Sequence, residues 1–269
     1  LRDGDTPDDE DQPIYRTHQP PQAQRLYKLR KQIDAIVSAH RLPDSWRWKG
    51  AETQSLATYL RGLSLEGEHG HVARAIQHEA LYTGGRSGFS AEPAGHHGVG
   101  ADVYARFTAP MREVVGCFVH KEAWEKLGGA EPHANPADEA LRDRVIEAAG
   151  RAKSEQRALT NESNRLVLDR MFADDLESDA PGRSGVVVGM PKGKIKVELD
   201  DPAIAVKVYE AHLEGQSGRK MRLTRDGTRL VEEHGGRRVA TLGDRVRVRV
   251  VGNDEERDRW VLGLEGVGD

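Results

Sequence analysis

Cysteine is nearly missing: Cys117 stands alone among 269 residues. One thiol cannot build a disulfide framework, so a reducing compartment, the cytoplasm, is expected. Aromatic residues make up 5% of the chain, leaving few rings for stacking or for a large aromatic core. No apolar run approaches the ~20 residues of a membrane-spanning helix, which excludes a helical membrane protein and any membrane partner. The chain opens with neither Met nor a basic-then-apolar leader, so no signal peptide is expected. Zinc spacings of the Cys-x-x-Cys or His-Glu-x-x-His kind, a phosphate-binding P-loop and a Gly-x-Ser-x-Gly elbow are all lacking. Structural zinc, nucleotide hydrolysis and serine hydrolysis therefore have no support, and His96, His97, His120 and Cys117 read as structural or hydrogen-bonded residues.

What is present in quantity is charge, 31% of the chain, with 40 basic and 44 acidic residues and a net of −4. The balance is uneven. The first twelve residues carry six carboxylates against Arg2, and the rest of the chain is left slightly positive. An acidic total thus does not argue against a nucleic-acid partner, because placement matters more than the sum. The run DGDTPDDED (3–11) has no apolar neighbours to hold carboxylates rigidly around a cation, so it reads as solvated tail or loop over 1–13.

Apolar residues at helical spacing (Leu26, Leu29, Ile33, Ile36) predict an amphipathic helix after Pro20–Pro21. Helical pattern returns around 51–63 and at 71–82. Six glycines between Thr83 and Gly100 predict loop. A further apolar stripe runs from Met111 to Leu127 and is stopped by Gly128–Gly129. Asn135–Pro136 followed by Asp138 and Glu139 marks the start of a helix reaching about Asp174. Beyond Pro181–Gly182 the period changes to two. Lys192, Lys194 and Lys196 alternate with Gly193, Ile195 and Val197, and Arg245, Arg247 and Arg249 alternate with Val246, Val248 and Val250. Such strands, basic on one face and apolar on the other, fit a small OB-fold barrel with one solvated side. The expected class is α+β: mainly helical over 14–180, then a β-barrel over 183–266.

Two features could carry chemistry. The basic strands suit single-stranded nucleic acid, although only Tyr209 and Trp260 are available there for stacking. The stretch 95–124 places an aromatic, a Thr, a Pro and then Arg112 at an expected helix start, where backbone N–H groups beside a guanidinium suit a phosphate.

This stretch resembles the C-terminal half of the catalytic (RNB) domain of the ribonuclease II and ribonuclease R family. That family writes G-H-F-G-L, an aromatic, F-T-S-P-I-R, a second basic residue, and then H-R. The matching positions are Gly95, His96, Gly98, Tyr104, Phe107, Thr108, Pro110, Arg112 and His120. Upstream, IYRTHQPP (14–21) is similar to the family's R-x-H-x-x-P, and Ala80 and Tyr82 to its A-x-Y. Downstream, KSEQRA (153–158) is similar to its A-E-R segment, placing Glu155, and the β part falls where the family carries an S1-type OB domain, with Leu242–Val250 as last strand.

The resemblance implies a magnesium-dependent 3′-to-5′ hydrolytic exoribonuclease of single-stranded RNA, with Arg112 on phosphate near the scissile bond and Glu155 in the catalytic cleft. His96, Tyr104, Thr108 and the Lys and Arg strands would bind RNA. The family's aspartate cluster, which holds the metal, has no counterpart in the sequence. The chain is therefore expected to be a C-terminal portion, its N-terminal half lying upstream or supplied as a separate chain. His97, Ala109, Glu113, Val114 and Gly116 stand where the family has Phe, Ser, a basic residue, Tyr and Asp. The alternative is a non-catalytic RNA-binding or adaptor protein that keeps a degenerate RNB domain.

Overall fold

The computed structural model describes residues 13–85, 87–108, 112–129 and 136–266. The acidic segment at the N-terminus, apart from Pro13, lies outside them. The described residues are mixed helix and sheet, helices first and antiparallel strands after, as expected for α+β.

The chain packs as two compact units, one made of residues up to Pro21 with Gly84–Ser163, the other of Gln22–Thr83 with Asn164 onward. This division cuts across a boundary near residue 180. The reason lies in apolar faces. In α1 (Ala23–Ala39), Leu29, Ile33, Ile36 and Val37 recur every three or four residues and are all buried. They share one core with Val72 and Ile76 of α3 (Gly70–Leu81) and with inward residues of the C-terminal strands. Each such side chain contributes about 1.5–3 kcal/mol by leaving water. α1 ends where Arg41 turns left-handed at φ 53°, and α2 is a single short helix, Leu56–Arg61, capped by Ser55. Gly70 opens α3, and only glycine fits there, because a Cβ would stand 2.1 Å from the carbonyl oxygen of Leu65.

In the first unit, β1 (Tyr15–His18) pairs antiparallel with β2 (Ser87–Ser90). β2 falls inside the glycine-rich stretch expected to be loop; its small residues still serve a ladder closed by distant β1. The stripe expected from Met111, a residue outside the described ones, is helical from Val114 as α4 (Val114–Trp124), with Glu113 before it extended at φ −132°. Gly128 ends the helical run at φ 101°. Ile14, Val115, Phe118, Val119 and Val145 form this unit's core. The helix expected from Pro136 is α5, Pro136–Glu177, of 42 residues. Its stretch 154–167 is exposed. There the pair Arg165–Asp169, one turn apart at 3.5 Å, adds local support to the helix.

In the second unit β3 (Arg183–Gly189), β4 (Lys194–Leu199) and β5 (Ala205–Tyr209) form a meander. After α6 (Glu210–Ser217) and a three-stranded sheet β6–β8 (Met221–Leu223, Arg229–Glu232, Arg238–Thr241), the chain returns as β9 (Arg245–Asp254) against β3. A strand beyond the one expected to be last, β10 (Arg259–Glu265), pairs with β9 and comes alongside β5. Circular order β3-β4-β5-β10-β9 with a helix after the third strand is the five-stranded OB barrel. Burial along β9 alternates without a break from Arg245 to Val250, valines in and arginines out. Gly185 lets β3 and β4 approach: a Cβ would meet the Glu198 carbonyl oxygen at 2.6 Å.

Candidate nucleic-acid interface

In the first unit β1 is stitched to the segment 95–104 by backbone bonds. The Arg16 N–H donates to the Tyr104 carbonyl at 2.7 Å, the His18 N–H to Gly95 at 3.1 Å, and the His97 N–H to His18 at 2.9 Å. The His18 ring spans the same join, accepting at Nδ1 from the Gly98 N–H at 3.1 Å and lying with Nε2 2.9 Å from the Gly85 carbonyl. That pairing assigns the ring proton to Nε2. Arg16 donates to Ser87 Oγ at 3.0 Å and covers the Phe89 ring at 4.6 Å. Arg16, His18 and Gly98 thus build the site's frame.

On that frame sit two of the expected RNA-contacting residues. His96 and Tyr104 are half-buried with rings 5.2 Å apart, edge to face, and His18 lies 5.3 Å from His96 on another side. Among the described residues, His96 Nδ1 is buried and has no hydrogen-bond partner. His120, stacked on Phe107, lies with Nε2 2.9 Å from the Phe107 carbonyl and so anchors the backbone just before Thr108.

Thr108 and Arg112 are exposed on either side of a segment outside the described residues. Arg112 stands two residues before α4, so it flanks the helix start and does not open it. Glu113, the acidic residue at a position basic in the family, is held by Arg106 at 2.9 Å, which compensates its charge locally. Glu155 is exposed on α5. Among the described residues no hydrogen bond or ion pair joins it to Arg112, and no group of three or more His, Cys, Asp or Glu could hold a metal ion.

In the second unit the two basic strands differ. Arg249 is engaged by Asp179 at 2.5 Å and by Glu265 at 3.5 Å, and these carboxylates hold its guanidinium charge firmly. Arg245 and Arg247 are exposed. Lys192 sits on the β3–β4 turn, Lys194 and Lys196 on the same face of β4. Lys196 donates to the Tyr82 hydroxyl at 2.8 Å, with Nζ 4.8 Å from the ring centroid.

Lys192 and Lys196 line a cleft of about 360 Å³ that the sequence alone does not reveal. Lys28 from α1, Tyr82 after α3 and Arg225 from the turn before β7 complete its basic wall, and Glu79 and Gln32 lie within. Burial pushes the Glu79 carboxyl up, against Lys28, Gln32 and Lys196, which favour its charge. Burial likewise lowers His78 beside it. No periodicity could have linked Lys28 to Arg225, because only the tertiary fold brings them together.

Residues 8–125 match the RNB domain. Over 247 residues the chain is 25% identical to ribonuclease R of Aquifex aeolicus (strain VF5), an alignment covering 91% of this chain and 32% of the relative. The chain thus spans about a third of that relative's length. Ribonuclease R of Mycoplasma genitalium, solved with ribose-methylated single-stranded RNA, superposes with a TM-score of 0.71 at 16% identity, over 94% of this chain and 38% of that one. Yeast Ssd1, a pseudonuclease, superposes at 0.55 with 18% identity, over 76% of this chain and 24% of that one. At these identities the superpositions establish a common fold, and the resemblance drawn from the motifs is borne out.

Proposed function

From the premise of an RNB domain matched over residues 8–125, we propose that this chain is the C-terminal portion of a 3′-to-5′ hydrolytic exoribonuclease acting on single-stranded RNA in the cytoplasm. The observation that carries the reading is the alignment with a ribonuclease R across 91% of the chain, through the helical part and the barrel together. An exposed guanidinium at Arg112, free of burial cost, suits a phosphate ligand. There it would offset charge developing on the scissile phosphodiester, an effect worth about 10²–10³ in rate when one such donor is removed elsewhere. Glu155, on a rigid helix, would line the same cleft. His96, Tyr104 and Thr108 would hold the RNA, and the S1-type barrel would feed it in through Lys192, Lys194, Lys196, Arg245, Arg247 and Arg249.

Magnesium is the metal that the family implies. Among the described residues no group of three or more His, Cys, Asp or Glu could hold it. The test is shortening of a labelled single-stranded RNA by the reconstituted protein with magnesium. Loss of shortening in Arg112→Ala supports the reading, whereas undiminished shortening in that variant removes Arg112 from catalysis.

A second reading is an RNA-binding protein without catalysis. It is favoured by Glu113, an acid where the family has a basic residue, which pairs with Arg106. RNA that is bound but never shortened, with the N-terminal half supplied, would select it.

A further inference from the structure

The cleft beside β4 gathers four cations from four separate elements: Lys28 on α1, Lys192 on the β3–β4 turn, Lys196 on β4 and Arg225 on the turn before β7. Among the described residues none of the four lies within ion-pair distance of a carboxylate, whereas Arg249 on the barrel's other basic strand has two. Four cations against the single carboxylate Glu79 leave the cleft net positive, and a polyanion relieves the repulsion among them.

The wall is also pre-formed. Asp226 Oδ1 accepts from the Thr224 hydroxyl at 2.6 Å, the Thr228 N–H at 3.0 Å and the Thr228 hydroxyl at 2.8 Å, which fixes the turn carrying Arg225. The turn carrying Lys192 is closed by the Lys194 N–H on the Pro191 carbonyl at 3.1 Å. Tyr82 holds Lys196 by its hydroxyl and ring together. Little freedom is therefore lost when an anion binds. One carboxylate, Glu79, stands within. It would repel a phosphate and accept N–H groups from a base edge, which sets the direction of a bound nucleotide.

We infer that this cleft is a subsite for one nucleotide unit of single-stranded RNA, its phosphates on Lys28, Lys192, Lys196 and Arg225 and its base edge toward Glu79. The inference rests on the RNA reading of the chain and adds a site to it. At about 360 Å³ the cleft falls in the range of small-ligand sites. A free nucleotide shares the chemistry, and the experiment separates the two.

The whole chain is titrated with a fluorescent single-stranded RNA oligomer and with a nucleoside monophosphate over a series of salt concentrations. The variants are Lys28→Glu with Arg225→Glu, both exposed positions whose replacement leaves the core intact, and separately Lys192→Glu. Expected is a loss of oligomer affinity of about tenfold or more in the double variant, with a salt slope shallower by about 0.7 for each cation removed. Glu79→Gln is expected to alter the ranking of oligomers that differ in one base. Oligomer binding unchanged in all the cation variants overturns the subsite and leaves the RNA reading standing. No oligomer binding by the unaltered chain overturns both. A response confined to the monophosphate overturns the polynucleotide assignment in favour of a free-nucleotide site.

Discussion

His40, just past the end of α1, places its Nε2 2.8 Å from the carbonyl oxygen of Leu242, a contact across 202 residues of sequence. His71, at the start of α3, repeats the arrangement with Nδ1 2.5 Å from the Gly243 carbonyl, and the two rings meet edge to face at 5.9 Å. Between them they dock two helix ends on the loop that leads into β9, where Gly243 leaves no room for a side chain beside Val72.

Burial lowers His40 from its ordinary 6.5, outweighing the Leu242 bond and the Asp244 carboxylate 3.9 Å away, with His71 and Arg238 adding to the lowering. A group with a lowered folded-state value stabilises the fold above its unfolded value and loses that contribution as pH falls below 6.5. His78 and His212, also lowered by burial, act in the same direction. Asp244, raised by burial, acts oppositely, above its ordinary 3.8. The melting temperature should therefore fall between about pH 8 and about pH 5. In His40→Gln the fall should be shallower, and thermal melts over that range that superpose in slope would refute the assignment.

Phe172 on α5 is 2% exposed and meets the Trp260 ring edge-on at 5.8 Å. Phe172→Ala should cost about 3–5 kcal/mol, since a large buried ring leaves a cavity that its neighbours fill only in part. Leu166→Ala, six residues earlier but 71% exposed, should stay within about 0.5 kcal/mol. Urea midpoints of the two variants give the comparison directly.

Two glycines in the barrel unit should respond with opposite signs. Gly185→Ala drives a Cβ to 2.6 Å from a backbone oxygen of β4 and should destabilise by about 1–3 kcal/mol. Gly215→Ala, in α6 with no atom within 4 Å of the new methyl, should stabilise by about 0.4–1 kcal/mol. Equal melting temperatures for the two would contradict this account of the β3–β4 approach.

On the proposed RNA reading, the outward arginines of β9 should not contribute equally. Arg245→Ala and Arg247→Ala should each reduce the salt slope of RNA binding by about 0.7. Arg249→Ala should reduce it less, because Asp179 and Glu265 already occupy its guanidinium. Affinities measured over a salt series decide the order.

Elements with a strong local period were legible in the sequence. The alternation of β9 reappears residue for residue in its burial, and Pro136 with its two acids does start α5. Where structure depends on distant partners, the sequence was silent. β2 exists because β1, more than sixty residues earlier, supplies its ladder, and nothing within SGFS signals a strand. Residues 22–83 read as part of the helical segment, yet they pack with the barrel because their apolar stripe finds its complement there. For the site, the pattern picked out Lys192 and Lys196 but not Lys28 or Arg225, since a lone cation on a helix or turn has no sequence mark of convergence.

The pairing of β1 with β2 has a consequence for biosynthesis. Ile14 and Tyr15 are translated well before their packing partners, and both are almost wholly covered in the finished molecule. The residues that shield Ile14, Val115 and Phe118 among them, are translated some hundred positions later. At about 5–20 residues per second the ribosome leaves those side chains uncovered for several seconds. During that interval they are a natural place for a chaperone to take hold.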